Sequence, residues 1–392
     1  MQSVVRKSAP SPAAVVMTAV LATRLPILLC GAIAVWIVGT IPPPAAEAIW
    51  RVSSHEVSNL LARWDTFFYY TIATDGYHWD PAVFLHYNVV FFPLLPLLMR
   101  LGGAALGGHP LAAGLVISLT AFAGAMAILY RLALLELGED YAWRVILLIS
   151  TFPYALYFSA VYTESLFLFL SVGAFYAMRR GRAGWAALCG FAAGLARPNG
   201  FWLSLPLALI AFSQWLAPDE AEEDSRRPSG FAVSLLAAAV PILGTTIFSG
   251  YLQWRFGDAL AWVHGQAAWG VPLLLRRGAP DPFKLPGEAA IKPIEVIAWI
   301  GNIAAFVAAA YAIRPISRRL GVAYGIWIAV NIFPPVPAHL FMSLGRFVSV
   351  VFPFFFWLAI RIPRDRVIRV AGAFAACQLV FAVWFFLWRP VV

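Results

Sequence analysis

Three consecutive residues, Arg63, Trp64 and Asp65, place a cation, an indole and a carboxylate side by side in the segment LARWDTFFYYTIATDGYH, residues 61–78. The chain around them is 61% hydrophobic, and a charged side chain near lipid is usually either paired or functional. A carboxylate held at a membrane surface can act as a general base toward a hydroxyl group. Aspartate is also one of the preferred residues at a helix N-cap. The residues alone therefore leave open whether Asp65 is a general base or a helix cap.

A second carboxylate, Glu164, opens an apolar run in the segment SAVYTESLF, residues 159–167. The helix dipole favours a carboxylate at a helix N-terminus, which is the structural interpretation. The functional interpretation is that Glu164 faces Asp65 across a cavity and orients a substrate hydroxyl or an arginine.

Two arginines stand at the ends of apolar runs, Arg197 in GLARPNGF and Arg346 in MSLGRFVSVVFPFF. A guanidinium group fixed at that depth suits a bidentate grip on a phosphate. The alternative is an arginine whose head group reaches up to lipid phosphates from the membrane interface. Both arginines are therefore candidate anion ligands.

The composition sets the class of protein that must position these side chains. Only 12% of the 392 residues are charged and the mean hydropathy is +0.79, whereas soluble domains carry about 25% charged residues. The chain is thus predicted to be an all-α, polytopic membrane protein. The net charge of +9 falls in many short loops between apolar runs, which argues against nucleic acid as a partner.

The apolar runs predict about eleven transmembrane spans in a single membrane domain covering residues 1–392, since a span needs about 20 apolar residues. The predicted spans cover roughly residues 18–41, 110–133, 143–160, 162–178, 184–197, 199–216, 231–253, 294–313, 321–338, 347–361 and 370–388. Residues 88–106 contain Pro93 and Pro96 and are predicted not to span. They then belong to a first outer loop of about 42–109, and a second outer loop covers about 255–293.

The basic residues predict the orientation. Alternating the spans brings most of the arginine clusters to one face, the cytoplasmic one: Arg6 and Lys7, Arg179 to Arg182, Arg226 and Arg227, Arg314 to Arg319, and Arg361 to Arg369. Asp65, Glu164 and Arg197 then lie on the outer face, with all six histidines, among them His86. Trp64, Phe67, Phe68 and Ile72 recur at helical spacing, which predicts an interfacial helix with its aromatic face in the outer leaflet.

Motifs that define soluble enzymes are missing from the sequence. It contains no Walker loop, no glycine-rich dinucleotide fingerprint and no metal-ligand spacing such as His-Glu-x-x-His. The three cysteines, Cys30, Cys189 and Cys377, lie inside apolar runs and suggest neither a disulfide framework nor a metal site. We therefore expect no cofactor and no metal-ligating residue, and the sequence leaves a metal requirement of the reaction open.

Four stretches in order, RWDTFFYYTIATDGYHWD, FFPLLPLLMRL, PYALYFSAVYTESLFLFLS and LARPNGFWLSLPL, resemble the PIG-V family. Its members are the second mannosyltransferases of GPI-anchor synthesis and their prokaryotic relatives. The resemblance covers roughly residues 60–210 and continues more weakly to GRFVSVVFPFF. It implies a GT-C glycosyltransferase fold, in which Asp65 matches the base of the first outer loop and Glu164 the acidic position of the second.

The resemblance implies an inverting mannosyltransferase that uses polyprenyl-phosphate mannose and a lipid-linked or glycan acceptor. Asp65 and Glu164 are the predicted catalytic residues, and the predicted substrate ligands are Arg63, Trp64, His86, Arg197, Asn199 and Arg346. The site would face the periplasm from a bacterial inner membrane, or the lumen from an ER membrane. Two alternatives stay open: a GT-C enzyme for another polyprenyl-phosphate sugar, such as arabinose or glucose, and a lipid transporter or flippase.

Overall fold

The computed structural model describes residues 11–38, 51–53, 59–82, 87–216, 230–266, 293–336, 343–388 and 391, leaving aside the side chains of 293–295. All regular structure within these residues is helical. The α-helices are α1 (Pro12–Val38), α2 (Thr66–Thr74), α3 (Leu94–Ala105), α4 (Pro110–Leu137), α5 (Glu139–Thr151), α6 (Glu164–Arg179), α7 (Ala183–Ala196), α8 (Ser204–Leu216), α9 (Phe231–Phe256), α10 (Ala261–His264), α11 (Pro293–Leu320), α12 (Val322–Ile332), α13 (Leu344–Ser349), α14 (Phe352–Arg361) and α15 (Arg364–Phe386).

Five of the described helices, α1, α4, α9, α11 and α15, are long and apolar enough to cross a membrane. The predicted count of about eleven spans is not confirmed, because several predicted spans are short or broken helices. The run predicted over 143–160 consists of α5 followed by the 3₁₀ helix Pro153–Phe158. The run over 199–216 is divided between the 3₁₀ helix Pro198–Leu203 and α8. Proline at the start of each 3₁₀ helix lacks the N–H that a continuous helix requires.

The predicted interfacial helix is present as α2, but its aromatic residues face the protein interior. Phe68 is buried and stacks on Phe91, with ring centroids 4.7 Å apart, and Ile72 is also buried. The prediction of an aromatic face in the lipid is therefore wrong. Residues 87–105 fold back over α2 and bury that face. Helix α3 has 12 residues and is about 18 Å long, which agrees with the prediction that this segment does not span.

The centre of the molecule is α6, which is buried along most of its length and packs against α4 and α7. Helix α7 in turn packs on α9 so closely that a Cβ atom on Gly194 would overlap the carbonyl oxygen of Pro241. Because glycine has no Cβ atom, the two helices can approach each other this closely. The close packing fixes the C-terminal end of α7, from which Arg197 follows directly.

Helices α6 and α15 connect two polar ends of the molecule. The site end contains the first residue of α6, Glu164, and the last of α15, Phe386. The basic end contains Arg179 and Arg364, about 24 Å away along α6 and about 34 Å away along α15. The structure thus separates the two sets of charges that were predicted to lie on opposite faces. Which end faces the outside stays a prediction.

Candidate active site

Four charged side chains form one connected group at the site end, which we name the charged cluster: Asp65, Glu164, Arg197 and Arg346. Nη1 of Arg346 donates to Oδ2 of Asp65 over 2.6 Å, and Nε of Arg346 donates to Oε1 of Glu164. Nη1 of Arg197 donates to the same glutamate oxygen over 2.8 Å. Arg346 therefore bridges the two carboxylates, and Glu164 holds both arginines.

Three members of the charged cluster lie at helix boundaries, and the fourth lies within a short helix. Asp65 precedes α2, Glu164 is the first residue of α6, Arg197 follows α7, and Arg346 lies in the short helix α13. Helix ends leave backbone groups that attract charge, and they bring residues distant in sequence to the same end of the bundle.

Asp65 occupies the N-cap position of α2 without acting as a side-chain cap. No hydrogen bond runs from the α2 backbone to its carboxylate, and that carboxylate accepts from Arg346 instead. The N-cap interpretation of Asp65 thus lacks the hydrogen bond that would stabilise the helix. The Asp65 carboxylate is directed toward Arg346 in the charged cluster.

Burial distinguishes the two carboxylates. The Glu164 side chain is 0% exposed and the Asp65 side chain 19% exposed. Asp65 is therefore the carboxylate that a ligand can reach. Oε2 of Glu164 is buried and has no hydrogen-bond partner within the described part of the chain, so the second oxygen of Glu164 is an unused acceptor inside the cluster.

The charges of the cluster balance, with two carboxylates against two guanidinium groups. Burial by itself lowers the pKa of Arg346, but the carboxylates of Glu164 and Asp65 outweigh that effect and raise the pKa above its ordinary value. Arg346 is thus firmly cationic. An anionic ligand that enters the cluster competes with the two carboxylates for these guanidinium groups.

Tyr162 is a member of the site that sequence reasoning missed. Its phenol oxygen donates to the carbonyl oxygen of Arg63 over 3.1 Å and accepts from the backbone N–H of Asp65 over 3.3 Å. The guanidinium carbon of Arg346 lies 4.5 Å from the centre of the Tyr162 ring, within the range of a cation–π contact. Tyr162 therefore fixes both partners of the Asp65–Arg346 ion pair. Its position two residues before Glu164 was the only signal in the sequence.

Arg63 and Trp64 are turned away from the charged cluster. The buried Arg63 donates from Nη2 to the carbonyl oxygen of Phe386 over 2.8 Å, and its guanidinium carbon lies 4.3 Å from the ring centre of Trp388. Trp64 meets the same Trp388 ring edge-on at 6.0 Å. These contacts join the segment before α2 to the end of α15. The role of Arg63 as a substrate ligand stays a prediction, and in the structure its Nη2 belongs to this anchor.

Asn199 and His86 complete the predicted ligands. Asn199 lies in the 3₁₀ helix that follows Arg197 and donates to Oδ1 of Asn331 over 2.6 Å. This bond ties the segment after Arg197 to α12. His86 lies outside the described residues.

Backbone strain is concentrated around the charged cluster. Among the described non-glycine residues, Trp64, Ser343 and Trp388 have positive φ angles of 52°, 58° and 57°. Trp64 precedes Asp65, Ser343 immediately precedes α13, and Trp388 receives Arg63. Each such residue costs about 1–3 kcal/mol and persists only where surrounding contacts impose it, typically at functional sites. The strain thus marks the same region as the charges.

Part of the chain matches a known protein family. As a class, the described structure is a helical membrane protein with a buried group of ion pairs at one end. Residues 41–215 match the family model described as Mannosyltransferase (PIG-V), and the resemblance predicted from the sequence motifs is confirmed. The match includes Asp65, Tyr162, Glu164 and Arg197, whereas Arg346 lies beyond it.

Individual proteins match this chain either over a short stretch or at low sequence identity. The GPI alpha-1,6-mannosyltransferase 2 of Rattus norvegicus is 32% identical over 154 residues, which are 36% of this chain and 29% of that protein. The match thus spans less than a third of this curated relative. The apo oligosaccharyltransferase of Archaeoglobus fulgidus superposes with a TM-score of 0.44 at 14% identity, over 96% of this chain and 56% of that one. Its complex with an inhibitory peptide and a dolichol-phosphate gives a TM-score of 0.41 at 13% identity, over 94% and 56%.

Proposed function

We propose that this protein is a PIG-V-type inverting mannosyltransferase that moves mannose from polyprenyl-phosphate mannose to a hydroxyl group of a lipid-linked or glycan acceptor. The observation that carries the proposal is the charged cluster, since three of its four members lie inside the matched residues 41–215. The whole chain acts as one membrane domain. The site end faces the periplasm, or the lumen if the protein is eukaryotic.

The donor brings an anionic phosphodiester into the cluster. Arg346 and Arg197 are the groups that can hold it, because guanidinium groups bind phosphate oxygens through paired hydrogen bonds. In the structure Arg346 is engaged with Asp65. When Arg346 turns to the phosphate, Asp65 loses that partner and is left beside the substrates. Donor binding and release of the base are thus coupled through one guanidinium group.

The transfer step follows from this arrangement. A carboxylate oxygen of Asp65 takes the proton of the acceptor hydroxyl, and the acceptor oxygen attacks the anomeric carbon of mannose. The bond between that carbon and the phosphate oxygen breaks, and its electron pair leaves with polyprenyl phosphate. Attack opposite to the leaving group inverts the anomeric centre, so a β-linked donor gives an α-linked product. Arg346 and Arg197 stabilise the charge that develops on the departing phosphate.

Glu164 has a supporting role in this mechanism. It is fully buried and accepts hydrogen bonds from both arginines through one oxygen, so it orients them and balances their charge before the donor arrives. The acceptor hydroxyl meets Asp65, the more exposed carboxylate.

The test is transfer by the purified protein. Wild type and the Asp65→Asn variant are incubated with polyprenyl-phosphate mannose and a membrane lipid extract, and products are identified by mass spectrometry. A mannosylated product with wild type, strongly reduced with Asp65→Asn, supports the proposal. Parallel incubations with the glucose and arabinose donors test the sugar. Transfer from one of those donors but not from the mannose donor would contradict the mannose assignment, and the anomeric configuration by NMR tests inversion.

A further inference from the structure

Helices α1 and α15 are in tight contact near the site end and enclose a cavity farther along. A Cβ atom on Gly31 of α1 would overlap the ring of Phe386 at the end of α15, so the helices touch there. Toward the basic end a cavity of about 700 Å³ lies between α1, α5 and α15. We name it the α1–α15 groove; its lining includes Ala22, Pro26, Trp143, Leu147, Arg364 and Ala375.

The groove lies at bilayer depth and is mostly apolar. Both α1 and α15 are long and apolar enough to span a membrane. Leu21 and Leu25, on either side of the lining residue Ala22, are about half exposed, as expected for side chains that face lipid. Eleven of the sixteen lining residues are apolar, so at bilayer depth the groove favours hydrocarbon over water. A hydrocarbon chain from the surrounding lipid is therefore the natural occupant.

One end of the groove is cationic and carries an interface aromatic. Arg364 contributes to the lining, and its ion pair with Asp140 is long at 3.3 Å, with both side chains 70% exposed. Such exposed pairs contribute little, so the guanidinium group can bind another anion. Trp143, also in the lining, belongs to a residue type enriched at the level of lipid head groups.

The segment that begins α15 adds to this charge. Four arginines lie within nine residues from the last residue of α14 into α15, Arg361, Arg364, Arg366 and Arg369, with Asp365 between them. Clustered basic residues at a membrane surface attract anionic lipids. We propose that the α1–α15 groove binds one acyl chain of an anionic phospholipid whose phosphate lies at Arg364.

This lipid site is distinct from the charged cluster. Arg364 lies about 34 Å from Phe386 along α15, so a lipid bound at Arg364 has its phosphate at the opposite membrane surface from a donor held by Arg346. The bound chain fills the space between α1 and the rest of the bundle. The proposal holds whether or not the protein is a mannosyltransferase.

The experiment measures lipid binding by native mass spectrometry. Delipidated full-length protein is titrated in detergent micelles with phosphatidylglycerol or with phosphatidylcholine of the same acyl chains. We expect one phosphatidylglycerol per protein, bound at least about fivefold more tightly than phosphatidylcholine, since one basic residue at a membrane surface contributes about that factor. Arg364→Gln should remove the preference. Arg366→Gln, an exposed arginine outside the groove lining, should retain it.

A second pair of variants tests the groove itself. Ala22→Phe fills the cavity and should abolish one-to-one retention of both lipids, whereas Ala376→Phe, on the exposed side of α15, should not. Equal affinity for the two lipids in wild type, or a preference that survives Arg364→Gln, overturns the proposal. Unchanged retention in Ala22→Phe also overturns it. Should Ala22→Phe fail to fold, the Arg364→Gln titration decides alone, because that side chain is at the surface.

Discussion

The two ends of α6 both carry arginine–carboxylate pairs, but they place them in different surroundings. At the basic end Arg179, 31% exposed, binds Glu136, 4% exposed, at 2.6 Å, and the pair of Arg364 and Asp140 is largely exposed. At the site end Glu164 is fully buried between Arg197 and Arg346. Removing one partner of a buried pair costs about 3–5 kcal/mol, whereas an exposed pair contributes about 0–1 kcal/mol.

The connectivity of the pairs differs as well. At the basic end Arg179 pairs with Glu136 and Arg364 with Asp140. The exposed Asp365 meets two arginines, Arg366 and Arg369, but only at 4.0 and 3.6 Å. At the site end Arg346 bridges two carboxylates and Glu164 accepts from two arginines. A ligand anion that takes Arg346 from Asp65 still leaves Arg346 paired with Glu164, so the arginine keeps a charged partner while Asp65 is released. From this difference we infer that the ion pairs of the basic end stabilise the fold, whereas those of the site end can exchange partners when a ligand binds.

The largest expected effect is on catalysis by Asp65. Asp65→Asn keeps the shape of the side chain and can still accept from Arg346, but the amide is not a base. We expect turnover to fall about 10²–10⁴-fold, with donor affinity and thermal unfolding close to wild type. The measurement is steady-state transfer with separate kcat and KM. Near-normal turnover of a folded variant would reject the catalytic role and move the search for the base to Glu164.

The contrast in burial is tested next by two matched amide substitutions. Glu164→Gln removes the carboxylate that pairs with the buried Arg197 and leaves Arg346 with Asp65 alone, so the free energy of unfolding should fall by about 3–5 kcal/mol. Asp140→Asn at the basic end removes an exposed pair and should cost less than about 1 kcal/mol. Thermal unfolding of both variants in the same detergent measures the two losses of stability. Similar losses in the two variants would mean that the ends do not differ as described.

Arg197→Lys tests whether a planar guanidinium group is needed. Lysine keeps the charge but cannot donate to Glu164 and to a phosphate from one rigid fork. Loss of one hydrogen bond to a charged group corresponds to about a tenfold fall in kcat/KM. Arg179→Lys at the basic end is the control and should leave transfer unchanged. If Arg197→Lys equals wild type, Arg197 is only an anchor.

The smallest effect concerns Tyr162, which we treat as a positioning residue. Tyr162→Phe keeps the ring under Arg346 but loses the hydrogen bonds to the backbone of Arg63 and Asp65. We expect kcat to fall about three- to tenfold, the equivalent of one neutral hydrogen bond. KM for the donor should stay constant, because the arginines still bind the phosphate. A rise in KM without a change in kcat would place Tyr162 in donor binding instead.

The sequence by itself predicted the class of protein and all four members of the charged cluster. It could do so because charge is scarce in this chain, and charged residues beside apolar runs stand out for energetic reasons. Short motifs around Asp65, Glu164 and Arg197 also carried the family resemblance, which the match over residues 41–215 confirmed. The short helix α3 and the division of charges between two ends followed from prolines and basic clusters.

Only the tertiary structure decided how these residues are connected. Arg346 lies 281 positions after Asp65 in the chain, and no local pattern relates the two. Periodicity identified the aromatic face of α2 but not its environment, because lipid and protein interior are both apolar and select the same residues. The backbone turn at Trp64 sends Arg63 to Trp388 while Asp65 meets Arg346. Adjacent residues therefore serve an anchor and a site, a separation that depends on packing and that composition and spacing do not encode.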